Sequence, residues 1–215
     1  MKPRVDWSLY LVACPELCAG RPLPEVVRAA VCGGVTAVQL RCKQTPTREF
    51  LRLAEALRGV LGAHGVALII NDRADVALAA GADGLHVGQG DMPVAAARRI
   101  LGPDAVIGLS ADTLDQALSP EAGDADYLGV GPIFPTATKA DTQPPWGCGG
   151  LRELRRRTRR VLIGIGGITA DNAGDVIRAG ADGIAVVSAV CAAEDPQAAA
   201  ERLRAAVADA RRGRV

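Results

Sequence analysis

Three cationic side chains and two carboxylates stand out in this 215-residue chain, because each follows a short apolar run. Arg41 and Lys43 come after or within a run containing Gln39. Lys139 closes the stretch Gly131-Pro132-Ile133-Phe134-Pro135-Thr136-Ala137-Thr138-Lys139. Guanidinium, ammonium and the Thr136 and Thr138 hydroxyls are suited to holding phosphate oxygens. The two prolines remove backbone donors and fix φ, which stiffens the segment presenting those groups. Asp72 and Asp91 would repel a phosphate directly, so their presence implies a cation between. Mg2+ takes one or two carboxylates and leaves its other positions to water and phosphate oxygens. Cations with paired carboxylates therefore suggest a metal-bound diphosphate, with Gln39, Asn71 and Ser110 as neutral hydrogen-bonding groups.

These residues need elements to hold them. Apolar strand-like runs occur at 8–13, 35–41, 66–70, 84–87, 105–109, 127–130, 161–165 and 183–187. Between them lie amphipathic, Ala- and Arg-rich segments. One covers 47–63, with Phe50, Leu53, Ala54, Leu57, Val60 and Leu61 on one face. Continuous apolar runs such as Leu68-Ile69-Ile70 suit strands buried on both faces. Eight alternating β and α units predict a parallel (β/α)8 TIM barrel, a single α/β domain over residues 1–215. In such a barrel the strand ends converge on one mouth, and polar residues here follow nearly every strand. Alternation puts Gln39, Arg41 and Lys43 on one face, toward the interior. Ser110 ends the fifth strand and Ser188 closes the eighth. Gly166-Gly167, and Val187 with Ser188, follow the seventh and eighth strands, where such barrels often hold a phosphate on backbone N–H groups. Two phosphorylated ligands meeting in one mouth are the expectation.

Each residue also has a local explanation. Arg41 alone would suit the surface. Asp72 could cap a helix over 73–80, and Asp91 one beginning near Met92-Pro93. Ser110 and Asp112 could cap the next helix, and His86 suits a hydrogen-bonded core position. The shared-site reading rests on coincidence, since local explanations must hold independently at six or seven strand ends. Gly81-Ala82-Asp83-Gly84 and Gly180-Ala181-Asp182-Gly183 form an internal echo. Each opening glycine suits a left-handed helix C-cap, and Gly33-Gly34-Val35 plays a similar part. Residues 144–149, with Trp146 and Cys148, read as an extension of the loop after strand six.

Composition narrows the classes. A net charge of +1 argues against a nucleic-acid surface, and two each of Trp, Tyr and Phe leave little for base stacking. Six cysteines without a C-x-x-C pair, and only two histidines, argue against zinc. Reduced cysteines of a cytoplasmic protein are expected. The N-terminus lacks the apolar core of a signal peptide, and no run approaches the roughly 18 apolar residues of a membrane span. The sequence leaves a homo-oligomer open.

Seven motifs in order resemble the thiamine phosphate synthase family. They are Gln39-Leu40-Arg41-Cys42-Lys43, Ile70-Asn71-Asp72, Leu85-His86-Val87-Gly88-Gln89-Gly90-Asp91, Gly108-Leu109-Ser110, the stretch from Gly129 to Lys139, Gly164-Ile165-Gly166-Gly167-Ile168-Thr169, and Val187-Ser188. The resemblance implies a transferase joining a hydroxymethylpyrimidine diphosphate to a thiazole phosphate, with thiamine phosphate and diphosphate as products. It implies that Gln39, Arg41, Lys43, Asn71, Ser110 and Lys139 hold the pyrimidine diphosphate, with Arg41, Lys43, Ser110 and Lys139 acting in catalysis. Asp72 and Asp91 would bind its Mg2+. Thr136, Thr138, Gly167, Val187 and Ser188 would hold the thiazole phosphate. The implied mechanism is dissociative, with closure of the strand-six loop excluding water. Asp112 stands where the family often has His or Asn. Two alternatives are a thiazole tautomerase on the same barrel and a non-catalytic phosphate-ligand sensor. The first would need no diphosphate machinery, and the second would need an effector surface.

Overall fold

Eight apolar runs form parallel strands that close on themselves in chain order. The strands are β1 (Leu9–Ala13), β2 (Ala37–Leu40), β3 (Ala67–Asn71), β4 (Gly84–Val87), β5 (Val106–Ala111), β6 (Tyr127–Val130), β7 (Val161–Ile165) and β8 (Gly183–Val186). The computed structural model describes residues 2–136 and 144–213. Helices alternate with the strands: α1 (Leu23–Cys32) after β1 and a 3-10 turn at Pro15–Leu17, α2 (Thr47–Gly62), α3 (Ala74–Ala80), α4 (Val94–Leu101), then the short α5 (Leu114–Ala117) and α6 (Pro120–Asp124) after β5. The round continues with α7 (Gly147–Arg157), α8 (Ala170–Arg178), the one-turn α9 (Ser188–Cys191) and α10 (Pro196–Arg212). This is the (β/α)8 barrel that the alternation predicts.

The strand alternation separates two shells of core. Leu11, Leu40, Ile70, Leu85, Leu109, Leu128, Leu162 and Ile184 point outward against the helices. The α2 helix answers with Phe50, Ala54, Leu57 and Leu61, all buried and spaced along one face. Tyr10, Val12, Ala37, Ile69, Val106, Tyr127, Ile163 and Ala185 point inward and fill the barrel. Trp7 closes the lower end, its ring centroid 4.2 Å from that of Tyr127.

The Gly-Ala-Asp-Gly echo proves to be a joint. Gly81 (φ 59°) and Gly180 (φ 120°) turn out of the preceding helices. Asp83 Oδ2 then accepts from Leu68 N–H, and Asp182 Oδ2 from Leu162 N–H, each at 2.8 Å. Asp126 does the same for Ile107 N–H at 2.8 Å, and Thr36 Oγ1 for Leu9 N–H at 3.0 Å. In every case the capping residue's own N–H returns to the carbonyl of the residue it caps, at 2.7–2.9 Å. The residue before each even strand thus ties down the start of the odd strand before it. The closing glycines let the next strand pass: a Cβ at Gly84 would lie 2.0 Å from Val106 O, and one at Gly183 1.7 Å from Trp7 O.

Some boundaries differ from the sequence expectation. β2 starts at Ala37 because Val35 N–H bonds back to Ala30 O of α1, at 3.1 Å. There Gly34, not Gly33, takes the positive φ. Ser110 lies within β5, which runs on to Ala111 opposite Val130. Ser188 does not close β8, which ends at Val186; it opens α9. Trp146 ends the loop, its N–H bonded to Pro132 O at 2.9 Å, but Cys148 is not in a loop, since Gly147 starts α7. All six cysteines are free thiols, and four of them are buried.

Candidate active site

The strand ends open into a cavity of about 820 Å3. Its wall includes Gln39, Arg41, Lys43, Asn71, Asp72, Asp91, Ser110, Thr136, Gly167, Val187 and Ser188, so every described residue expected at the site lines one space. Thr138 and Lys139 lie outside the described residues.

The charged side of the mouth comes from β2, β3 and β4. Gln39 points inward from β2 and is buried, as is Asn71 at the end of β3. Arg41 stands one residue past β2, its N–H held by Ala13 O at 3.0 Å. Burial pushes the neighbouring Cys14 thiol up, although Arg41 pulls the other way. Asp72 adopts the left-handed region, with φ 62°. Few non-glycine residues hold that conformation, and it recurs at functional sites. Its N–H is pinned to His86 O at 2.8 Å, and its Oδ2 accepts from Lys43 Nζ at 2.5 Å. Asp72 therefore caps no helix; α3 begins after Arg73 without a side-chain cap. Asp91 does not cap α4 either, since its Oδ2 accepts from Gly88 N–H at 2.8 Å. Burial raises Asp72, Lys43 offsets part of this, and the Asp91 carboxyl beside it adds to the rise. Burial acts on Asp91 too, but the adjoining Asp72, the Gly88 N–H and the charge of Lys43 hold it below the usual range.

Two neighbouring carboxyl groups, one of them raised by the other, form a place where a dication would relieve repulsion. Hard oxygen donors with open cavity beside them fit Mg2+. No group of three or more His, Cys, Asp or Glu side chains able to hold a metal occurs among the described residues. A metal here would therefore draw its other oxygens from water and substrate.

The floor of the mouth is polar. Ser110 Oγ lies 2.9 Å from His86 Nε2, and His86 Nδ1 lies 2.9 Å from the Tyr127 hydroxyl. Tyr127 and Tyr10 hydroxyls are 2.8 Å apart, and Gln39 Nε2 donates to Tyr10 at 2.9 Å. The next helix is capped by Thr113 instead, whose Oγ1 accepts from Gln116 N–H to start α5. Gln89 Nε2 donates to Ser110 O at 2.7 Å. His86 is the hydrogen-bonded core histidine of its local explanation, yet it also lines the cavity. The two tyrosines were not expected at the site. Their signal lay in strand glycines: a Cβ at Gly108 would lie 2.1 Å from Tyr127 Cζ, and one at Gly129 3.1 Å from His86 Cε1.

The opposite side comes from β6, β7 and β8. A cis Gly131–Pro132 bond leads into Ile133 and Phe134, whose N–H groups donate to Ile165 O (2.8 Å) and Gly166 O (3.0 Å). Gly166 (φ 98°) and Gly167 (φ 64°) could not carry side chains. A Cβ at Gly167 would lie 2.6 Å from Pro135 O. The close approach they permit is thus, in part, that of the segment after β6. Asn172 of α8 accepts from Thr169 N–H and donates to Gly167 O, both at 2.9 Å, which fixes the turn.

Residues 9–190 match the family model described as thiamine monophosphate synthase. The chain is 58% identical over 196 residues to a thiamine-phosphate synthase of Albidiferax ferrireducens, covering 91% of this chain and 90% of that one. It is 54% identical to the Chloroflexus aurantiacus thiamine-phosphate synthase, covering 94% of each. A solved structure of thiamine phosphate pyrophosphorylase from Pyrococcus furiosus superposes with a TM-score of 0.87 at 40% identity, over 95% of this chain and 97% of that one. A 3-hexulose-6-phosphate synthase structure, at 20% identity and a TM-score of 0.65, shares the fold alone.

Proposed function

Since the chain belongs to the thiamine monophosphate synthase family and is a transferase that makes thiamine phosphate, we propose how its residues divide that work. The substrates are a hydroxymethylpyrimidine diphosphate and a thiazole phosphate, and diphosphate is the second product. One observation carries the reading: a single cavity has the Arg41, Lys43, Asp72 and Asp91 cluster on one side and Gly166-Gly167 with Val187-Ser188 on the other. Gln39, Arg41, Lys43, Asn71 and Ser110 hold the pyrimidine diphosphate, with Lys139 joining them on the strength of the sequence motif. Thr136, Thr138, Gly167, Val187 and Ser188 hold the thiazole phosphate.

Asp72 and Asp91 would hold Mg2+, which, when bound, supplies positive charge for the diphosphate oxygens. Arg41 and Lys43 stabilise negative charge as it builds on the leaving group. Lys43 also neutralises Asp72, so the carboxylate does not repel the incoming diphosphate. The reaction is dissociative: diphosphate departs, a pyrimidine cation forms, and the thiazole nitrogen attacks the exocyclic carbon. No side-chain nucleophile is needed in such a reaction. The apolar inner wall of Val12, Ile163, Ile165 and Ala185 limits the water that could trap the cation.

The paired carboxylates weigh against the tautomerase reading, which gives them no task. We read the whole chain, 1–215, as one domain. No helix among the described residues is long and apolar enough to cross a membrane, and the free thiols support a cytoplasmic setting. The test is diphosphate release with Mg2+ present. Release that requires both substrates is expected; release at the same rate without the thiazole phosphate would overturn the condensation.

A further inference from the structure

Five side chains from five different strands form one continuous hydrogen-bonded line through the barrel: Gln39 (β2), Tyr10 (β1), Tyr127 (β6), His86 (β4) and Ser110 (β5). Four of the five are buried, and Ser110, half-buried, meets the cavity. The line joins two residues placed on the pyrimidine diphosphate through two tyrosines with no assigned part in the reaction.

The line has a direction. Gln39 presents its amide nitrogen to Tyr10, and an amide nitrogen can only donate. Tyr10 therefore accepts from Gln39 and turns its own proton to Tyr127. Tyr127 accepts from Tyr10 and turns its proton to His86 Nδ1. A His86 ring that accepts at Nδ1 and is neutral carries its proton on Nε2, which donates to Ser110 Oγ. The Ser110 proton is then left to point into the cavity. Each of the four contacts then has one donor. A proton on Nδ1 would turn the O–H of the fully buried Tyr127 away from its acceptor, and a buried donor without an acceptor is costly. Burial also pushes both phenols up, so both remain O–H groups.

We propose that Tyr10, Tyr127 and His86 are positioning residues that fix Ser110 as a hydrogen-bond donor to an acceptor atom of the pyrimidine diphosphate. The proposal rests on the assignment of Ser110 to that substrate. Strand glycines make room for the line: Gly108 for the Tyr127 ring and Gly129 for the His86 ring. Trp7 seals it from below, 5.2 Å from Tyr10 and 4.2 Å from Tyr127. A line that only satisfied buried polar groups would have no need to end at the cavity.

The first measurement needs no activity. The chain has two histidines, and His64 is exposed. Imidazole 15N spectra of the wild type, assigned with His64→Ala, should show His86 neutral and protonated on Nε2. A ring protonated on Nδ1, or on both nitrogens, overturns the proposal even if the synthase reading stands. The second measurement is a double-mutant cycle. Tyr127→Phe keeps the ring and removes the relay hydroxyl, and kcat/KM for the pyrimidine diphosphate should fall by about tenfold to a hundredfold. The KM for the thiazole phosphate should hold within about twofold. In a Ser110→Ala background the same change should cost less than about threefold, since the group it orients is gone. An undiminished loss there assigns Tyr127 to stability alone and overturns the relay. If Tyr127→Phe does not fold, the wild-type tautomer decides.

Discussion

At the scale of single residues, Asp72 combines a left-handed backbone, a short bond to Lys43 and a raised carboxyl next to Asp91. A group kept in that conformation and beside a like charge is held there by its surroundings. Its N–H to His86 O supplies one such restraint. Asp72→Asn keeps the shape and removes one negative charge from the proposed metal site. The Mg2+ concentration for half-maximal rate should rise by more than about tenfold, because outer-shell changes alone weaken metal sites by that much. Unchanged Mg2+ titration curves would remove Asp72 from the metal. The residue types here were legible in the sequence, and Asp72 and Asp91 stood out as carboxylates among cations. Their mutual contact was not, because they follow different strands and meet only when β3 and β4 pair. The helix-capping explanations were equally good locally; hydrogen bonds to Lys43 and Gly88 decided against them.

At the scale of elements, strand glycines carry much of the design. Glycine weakens a strand unless another group needs the space. Gly108 makes room for Tyr127 and Gly129 for His86, so two apparent weak points in β5 and β6 are the moulds of the polar floor. Gly108→Ala would force a methyl group to within 2.1 Å of the Tyr127 ring carbon. Overpacking of that kind costs about 1–3 kcal/mol. Urea denaturation should show that loss, and the affinity for the pyrimidine diphosphate should drop with it as the floor shifts. A variant as stable and as tight-binding as the wild type would show that the floor is pliable. The period of the strands was readable, and the structure returned β4, β6 and β7 with the expected bounds. The ends of β2, β5 and β8 were less so, because turn bonds and neighbouring strands set where pairing stops. Cys148 looked like a loop residue from composition, but the bond from Trp146 N–H to Pro132 O ends the loop and α7 starts at Gly147.

At the scale of the whole molecule, the ring of Thr36, Asp83, Asp126 and Asp182 sits at the end of the barrel opposite the mouth, each tied to the strand before it. In TIM barrels that end serves stability while the other carries chemistry. Asp126 gathers the most: burial pushes its carboxyl up, but Arg98, Lys2 and the Ile107 N–H together hold it below the usual value. A folded value below the unfolded one means that its contribution is complete at neutral pH. That contribution fades as pH falls through the folded value. Asp126→Asn should therefore be less stable by about 1–3 kcal/mol near neutrality. Its stability should also fall less steeply than the wild type's on acidification, with activity near neutral pH unaffected in the folded fraction. Denaturation midpoints followed from neutral to acidic pH would show parallel curves if Asp126 had no such role.

The sequence by itself determined the barrel and the family. Eight apolar runs buried on both faces can be satisfied by few architectures, and seven polar motifs at strand ends are specific in order and type. It also determined which side chains were chemically able to hold phosphate and a dication. Only the tertiary structure decided that the Gly-Ala-Asp-Gly echo is a strand-to-strand joint, that the Asp72 and Asp91 carboxyl groups meet, and that two tyrosines connect Gln39 to Ser110. These features share a physical reason. Each depends on contacts between residues far apart in the chain, whose distance is set when the barrel closes and not by any local spacing.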